Sequence, residues 1–169
     1  MLRHCGLFYY LNLMERDVIA EIKVINEYAF TSGVIELPKY QTEGSAAMDL
    51  QACIDDDLVL KAGESVLIGT GIAIHLGDAN FVGMIYPRSG LGSKKGIVIG
   101  NGTGVIDSDY SGELKVCLWN RSDEDFKIER GMRIAQYMVV PVERINFKVV
   151  KDFTKNSERG GLGFGSTGF

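Results

Sequence analysis

Short apolar runs separated by turn residues constrain the fold of this 169-residue chain more than any other feature. The runs are rich in Val, Ile, Leu and Phe, and Gly, Asn and Asp stand between them. They occupy residues 21–25, 57–61, 65–74, 81–86, 96–99, 114–120, 126–128, 134–142 and 146–150. No segment after residue 30 has a long helical period. The pattern predicts an all-β sandwich or jelly roll with one short helix, best placed at Ser89 to Lys95.

Composition excludes several classes of function. No apolar run approaches the length of a membrane span, and a net charge of −4 gives no overall attraction to nucleic acid. We therefore expect neither a membrane nor a nucleic acid as a partner. The three widely spaced cysteines suggest a reducing compartment, and we expect a cytoplasmic protein. Two histidines are too few to favour a His-rich metal site or a Ser-His-Asp hydrolase.

Two glycine-rich segments carry groups that suit a phosphate chain. The last eleven residues combine backbone N–H groups with Arg159, Ser166 and Thr167, and Phe164 among them suits a flat ring. Upstream, Arg88 and the serine after it follow an apolar run, at a turn or helix start where free N–H groups attract anions. The alternatives are a frayed terminus and an ordinary basic turn.

A third segment, Gly104 to Leu114, carries two carboxylates beside an aromatic ring. Without a neighbouring histidine, a carboxylate is the natural general base for activating a water molecule. Asp107 suits this role better than Asp109, because it follows the apolar pair Val105 and Ile106. The alternative is a hairpin whose aspartates merely favour the turn.

Five segments, in this order, resemble the five motifs of the trimeric dUTPases, the dUTP diphosphatases. They are Ser45 to Leu50, Pro87 to Gly92, Gly104 to Tyr110, Gly131 to Gln136 and Arg159 to Gly168. The resemblance covers about residues 21 to 169. It implies hydrolysis of dUTP to dUMP and pyrophosphate, which supplies dUMP for dTMP synthesis and keeps uracil out of DNA.

The resemblance also implies an assembly. Residues 21–153 would form the jelly-roll domain, and residues 154–169 would form a flexible arm that closes an active site of a neighbouring subunit. Three chains would form a homotrimer with shared sites. Residues 1–20 would be an extension, either a short amphipathic segment or a stretch upstream of a start at Met14.

Carried over residue by residue, the resemblance gives each site residue a role. Asp107 would be the general base, Tyr110 would exclude a 2′-hydroxyl, and Asn101 would read the uracil edge. Asp49 would support the site from behind. Mg²⁺ would be held by the triphosphate, without a direct protein ligand. The remaining substrate-binding residues are Arg88, Ser89, Gly90 and Gln136 on the phosphates, and Arg159, Phe164, Gly165, Ser166 and Thr167 in the arm.

Two other functions compete with this one. A dCTP deaminase shares the fold, and a regulatory or binding jelly roll could keep the shape without turnover. The full third motif with Tyr110 and the long fifth motif favour the dUTP diphosphatase, and retention of Asp107 speaks against loss of turnover.

Overall fold

The structure is a computed structural model that describes residues 18–153. Antiparallel strands dominate it, with two short helices. The strands are β1 Glu21–Val24, β2 Met48–Gln51, β3 Leu58–Leu60, β4 Ser65–Gly69, β5 Ile72–His75, β6 Phe81–Pro87, β7 Ile97–Ile99, β8 Gly104–Ile106, β9 Lys115–Asn120, β10 Phe126–Ile128 and β11 Arg133–Pro141. The helices are α1 Glu27–Thr31 and α2 Ser89–Lys95. No helix in this range is long and apolar enough to cross a membrane.

Two sheets and two ribbons surround one core. The larger sheet has the order β2-β11-β6-β8 and the smaller one β4-β9-β7, while β1 pairs with β5 and β10 with β3. All of these pairs are antiparallel. Both sheets contribute to one buried cluster, for example Leu50 and Ile85 from the larger sheet and Val116 and Leu118 from the smaller. The prediction of an all-β fold is confirmed.

Helix α2 lies where the sequence predicts it. Arg88 precedes it in an extended conformation, and Gly96 ends it in a left-handed conformation with φ +69°. A side chain at this glycine would also meet Ser122, so both φ and close packing favour glycine there.

Four details differ from the sequence prediction. Helix α1 is a second helix, capped by the Asn26 side chain, which accepts from the Ala29 N–H. The run 65–74 is two strands, because the chain breaks at Thr70 and at Gly71, whose φ is +72°. Strands β2 and β8 were missed, since each is only three or four residues long and lacks a continuous apolar run. The predicted strand at 146–150 is wrong, because residues 142–150 adopt no regular structure.

Strands β6 and β11 form the longest pair, which runs from Phe81 opposite Pro141 to Pro87 opposite Ala135. Tyr137 is only 1% exposed, and its ring lies over Gly83 on β6. A Cβ built on Gly83 would lie 2.7 Å from the Tyr137 ring carbon Cε2. The Tyr137 hydroxyl is buried without a hydrogen-bond partner among the described residues. Close packing, rather than hydrogen bonding, therefore fixes this aromatic ring.

We expect Gly83→Ala to lower the free energy of unfolding by about 1–3 kcal/mol, because the methyl group overpacks the core against Tyr137. Tyr137→Phe should be neutral or stabilising by up to about 1 kcal/mol, since it removes an unpaired buried hydroxyl. Urea unfolding of the two variants beside the native protein measures both values. Equal losses in the two variants would contradict this account of the packing.

The same tyrosine makes the stability of the native protein depend on pH. Burial raises the pKa of Tyr137 from 10.0 to about 12. The unfolded chain therefore loses this proton first, and the native protein loses stability as the pH rises from 10 towards 12. The phenylalanine variant lacks this contribution, so its stability advantage should grow over that interval. An advantage that stays constant with pH would contradict the burial of the hydroxyl.

Candidate active site

A cluster of two arginines around one carboxylate occupies one end of the larger sheet. Asp49 on β2 accepts from Arg88 Nε at 2.8 Å and from Arg133 Nη1 at 3.2 Å. The Asp49 side chain is 10% exposed, whereas those of Arg88 and Arg133 are 29% and 50% exposed. The carboxylate is thus the buried anchor, and the two guanidinium groups extend towards solvent. We call these three residues the arginine cluster.

Strand register explains why Gln136 belongs beside this cluster. On β11 it lies opposite Asp49 of β2 on one side and opposite Tyr86 of β6 on the other. The next residue pair, Ala135 and Leu50, is fully buried. Since side chains alternate between the faces of a sheet, Asp49, Gln136 and Tyr86 share the face away from the core.

The first residues of α2 continue the same surface. Ser89 and Gly90 are exposed and directly follow Arg88. The first N–H groups of a helix have no partner within the helix, so they are free to bind an anion. The structure therefore brings together the four predicted phosphate-binding residues outside the arm, namely Arg88, Ser89, Gly90 and Gln136.

Asp107 lies at the end of β8, away from the arginine cluster. It follows β8, and the Tyr110 N–H donates to its carbonyl at 3.1 Å, which closes the predicted turn. A cavity of about 710 Å³ lies beside it, lined among others by His75, Phe81, Asp109 and Arg144. Asp107 is exposed in the single chain, so the preceding apolar pair does not bury it.

Strand register places Asp107 far from the arginine cluster. Ile106, the residue before Asp107, pairs with Gly83, which lies five residues before Arg88 along β6. At about 3.3 Å per residue this is about 17 Å along the strand. In addition, β8 lies on one side of β6, whereas Arg88 reaches across β11 to Asp49 on the other side.

Asn101 is at the tip of the turn between β7 and β8. The Gly102 N–H donates to the Ile99 carbonyl at 2.9 Å, and the Asn101 amide donates to the Thr103 carbonyl at 3.2 Å. Gly102 has φ +79°, which favours glycine at this turn. The side chain of Asn101 is exposed, and strand β8 lies between it and Asp107.

Sequence reasoning missed two neighbours of Asp107. His75 lines the same cavity, and its buried Nδ1 has no partner within residues 18–153. Arg144 also lines this cavity. No motif in the sequence marks either residue. The arm residues Arg159, Phe164, Gly165, Ser166 and Thr167 lie outside the described residues.

Comparison with known proteins identifies the family of this chain. The family model described as dUTPase matches residues 34–168. A deoxyuridine 5′-triphosphate nucleotidohydrolase of Francisella tularensis subsp. holarctica is 55% identical over 148 residues, 88% of this chain and 97% of the relative. The protein of that name from Psychrobacter sp. (strain PRwf-1) is 53% identical over 148 residues, with 88% and 96% covered.

Solved structures show the same fold. A variant of the Staphylococcus bacteriophage 80alpha dUTPase with dUpNHpp has a TM-score of 0.78 and 27% identity, and covers 90% of this chain and 100% of its own. A phage phi11 dUTPase variant, whose structural Mg(II) ion is described, has a TM-score of 0.70 at 22% identity, with 81% and 99% covered. At that identity it supports the fold alone. The family match and the names of these relatives place the chain among the nucleotide hydrolases. The chain belongs to the dUTPase family.

We expect Asp49→Ala to lower the free energy of unfolding by about 1–3 kcal/mol, because two hydrogen bonds to a largely buried carboxylate are lost and two arginines are left facing each other. Glu36→Ala is the matched control, since Glu36 pairs with Lys39 on the surface, where both side chains are more than half exposed. It should change stability by less than about 1 kcal/mol. Chemical denaturation compares the two, and equal losses would contradict the anchoring role of Asp49.

Proposed function

We propose that this chain hydrolyses dUTP to dUMP and pyrophosphate, and that each active site combines residues from different copies of the chain in a homotrimer. Family membership and the names of relatives at 53–55% identity support the reaction. The observation that carries the shared site is the separation of Asp107 from the arginine cluster within one chain. A general base and the phosphate it serves must lie within hydrogen-bond reach of one water molecule.

The arginine cluster is the proposed phosphate half of the site. Arg88 supplies a guanidinium fixed by Asp49, while Ser89 and Gly90 offer the free N–H groups of a helix start. Gln136 adds an amide from the neighbouring strand. Because Asp49 already neutralises part of the positive charge, the cluster stays ordered without a bound phosphate.

The segment from Asn101 to Tyr110 is the proposed nucleoside half. Asn101 reads the uracil edge from the turn, and the Tyr110 ring lies beside the sugar. Asp107 accepts a proton from water as the water oxygen bonds to the α-phosphorus. The bond from that phosphorus to the bridging oxygen breaks, and pyrophosphate leaves.

The arm of a third chain is proposed to complete the site. Arg159, Ser166 and Thr167 would bind the γ-phosphate end, Gly165 would let the backbone approach it, and Phe164 would cover the uracil ring. When bound, Mg²⁺ would screen the phosphate charge and orient the chain of phosphates. We assign Mg²⁺ to the triphosphate, as the resemblance implies, and propose no direct protein ligand for it.

The segment before the arm supports an assembly of several chains. Phe147, Val149 and Phe153 are 88%, 96% and 87% exposed in the single chain. Burying such side chains stabilises a protein by about 1.5–3 kcal/mol each, so leaving three of them in water is unfavourable. Contact with another subunit would cover them, and their near-alternate spacing suits an added strand.

Mixing two inactive variants tests the shared site. Arg88→Ala and Asp107→Asn should each lower kcat for dUTP by about 10²-fold or more, the first through phosphate contacts and the second through the base. After the two proteins are unfolded together and refolded, a site that takes Arg88 from one chain and Asp107 from another is intact in about a quarter of cases, one half times one half. The kcat of the mixture should therefore return to about a quarter of the native value.

Refolding each variant by itself is the control and should restore no activity on dUTP. If the mixture is as inactive as its components although mixed trimers have formed, the two residues act within one chain and the shared site is wrong. If the native protein releases no pyrophosphate from dUTP with Mg²⁺, the proposed reaction is wrong.

A further inference from the structure

Tyr110 is 42% exposed, yet the structure fixes its ring in one place. Its hydroxyl donates to the Glu113 carbonyl at 3.0 Å. The ring folds back over Gly112, where an added Cβ would lie 2.5 Å from the Tyr110 hydroxyl and 2.7 Å from Cζ. Real Cβ atoms essentially never approach other atoms so closely. The ring therefore rests directly on the backbone of Gly112.

The backbone beneath the ring is itself anchored. The Glu113 carboxylate accepts from the Gly71 N–H at 3.0 Å. Leu114 is fully buried; its N–H donates to Ile72, and its carbonyl accepts from both the N–H and the hydroxyl of Thr70. These bonds join the segment to the corner between β4 and β5. The support under Tyr110 is thus part of the core framework rather than a free loop.

Gly112 is not required by its own backbone conformation. It is absent from the described glycines with positive φ, so its φ does not call for glycine. The three atoms nearest to an added Cβ all belong to Tyr110. A methyl group at this position would therefore displace the aromatic ring while leaving the surrounding backbone in place.

We propose that Gly112 is a specificity-determining positioning residue: it seats the Tyr110 ring where the ring excludes a 2′-hydroxyl. This inference rests on the proposed function, in which Tyr110 lies beside the sugar. Because the Tyr110 hydroxyl donates its proton to the Glu113 carbonyl, it has no proton left to donate to the substrate, and the proposed discrimination comes from contact with the ring. Discrimination is therefore steric, and the contact with Gly112 determines where the ring lies.

The first test compares kcat/KM for dUTP and for UTP. Gly112→Ala should lower the ratio of the two values roughly ten- to hundredfold, the scale that a displaced positioning group costs. Tyr110→Phe removes the bond to Glu113 but keeps the contact of the ring with Gly112, so the ratio should fall less than in Gly112→Ala. Gly44→Ala is the matched control, because Gly44 also lacks a positive φ and an added Cβ there meets nothing within 4 Å. An unchanged ratio in Gly112→Ala would overturn the proposal.

A double-mutant cycle in thermal unfolding tests the contact without any substrate. Gly112→Ala should lower the melting temperature when Tyr110 is present and have little effect when Tyr110 is replaced by alanine. If Gly112→Ala alone fails to fold, folding of the double variant supports the contact. Equal effects in both backgrounds would overturn it.

A crystal structure of unliganded Gly112→Ala separates failure of this inference from failure of the proposed function. If the Tyr110 ring has not moved, Gly112 does not position it, whatever the kinetics show. A displaced ring with an unchanged ratio overturns the link between the seat and sugar selection, while dUTP hydrolysis stands. If the native protein hydrolyses neither nucleotide, the proposed function fails, and with it the role in specificity.

Discussion

The pairing of β6 with β11 is the constraint on which the rest of this structure depends. Seven residue pairs, from Phe81 with Pro141 to Pro87 with Ala135, fix the register of the larger sheet. That register places Tyr137 over Gly83 on the core side. On the opposite face it places Gln136 beside Asp49 and delivers Arg88 to the end of β6, within reach of Asp49. A slip of one residue would exchange the two faces, so core packing and the arginine cluster are specified by the same hydrogen-bond ladder.

The same strand also separates the two halves of the proposed site. β8 pairs with the first part of β6, and the arginine cluster lies at the other end and on the other side. One chain thus carries both sets of groups, about 17 Å apart along the strand direction. The proposed assembly with shared sites would resolve this geometry, and the exposed apolar side chains of Phe147 and Val149 offer surface for it. Activity would then depend on subunit association as directly as on folding.

The two halves of the proposed site are held in place by different kinds of interaction. The phosphate half relies on charge, with one largely buried carboxylate holding two arginines that would otherwise repel each other. The nucleoside half relies on shape, with an aromatic ring seated on a glycine and a segment bonded to the core beneath it. Phosphate binding rests on charge-assisted hydrogen bonds, whereas rejection of a hydroxyl group by contact requires a ring held in a fixed position.

Sequence by itself determined the class of fold, the place of α2 and the set of groups suited to a nucleoside triphosphate, because strand periodicity, turn residues and motif chemistry are local properties. It missed β2 and β8, whose short polar or glycine-containing segments become strands only when long-range partners supply hydrogen bonds. It predicted a strand at 146–150 from an apolar pattern that finds no partner within residues 18–153. Tertiary structure alone decided that Asp49 joins Arg88 and Arg133, that Asp107 lies away from them, and that Gly112 supports Tyr110. Each of these depends on which strands become neighbours, and no local pattern encodes that choice.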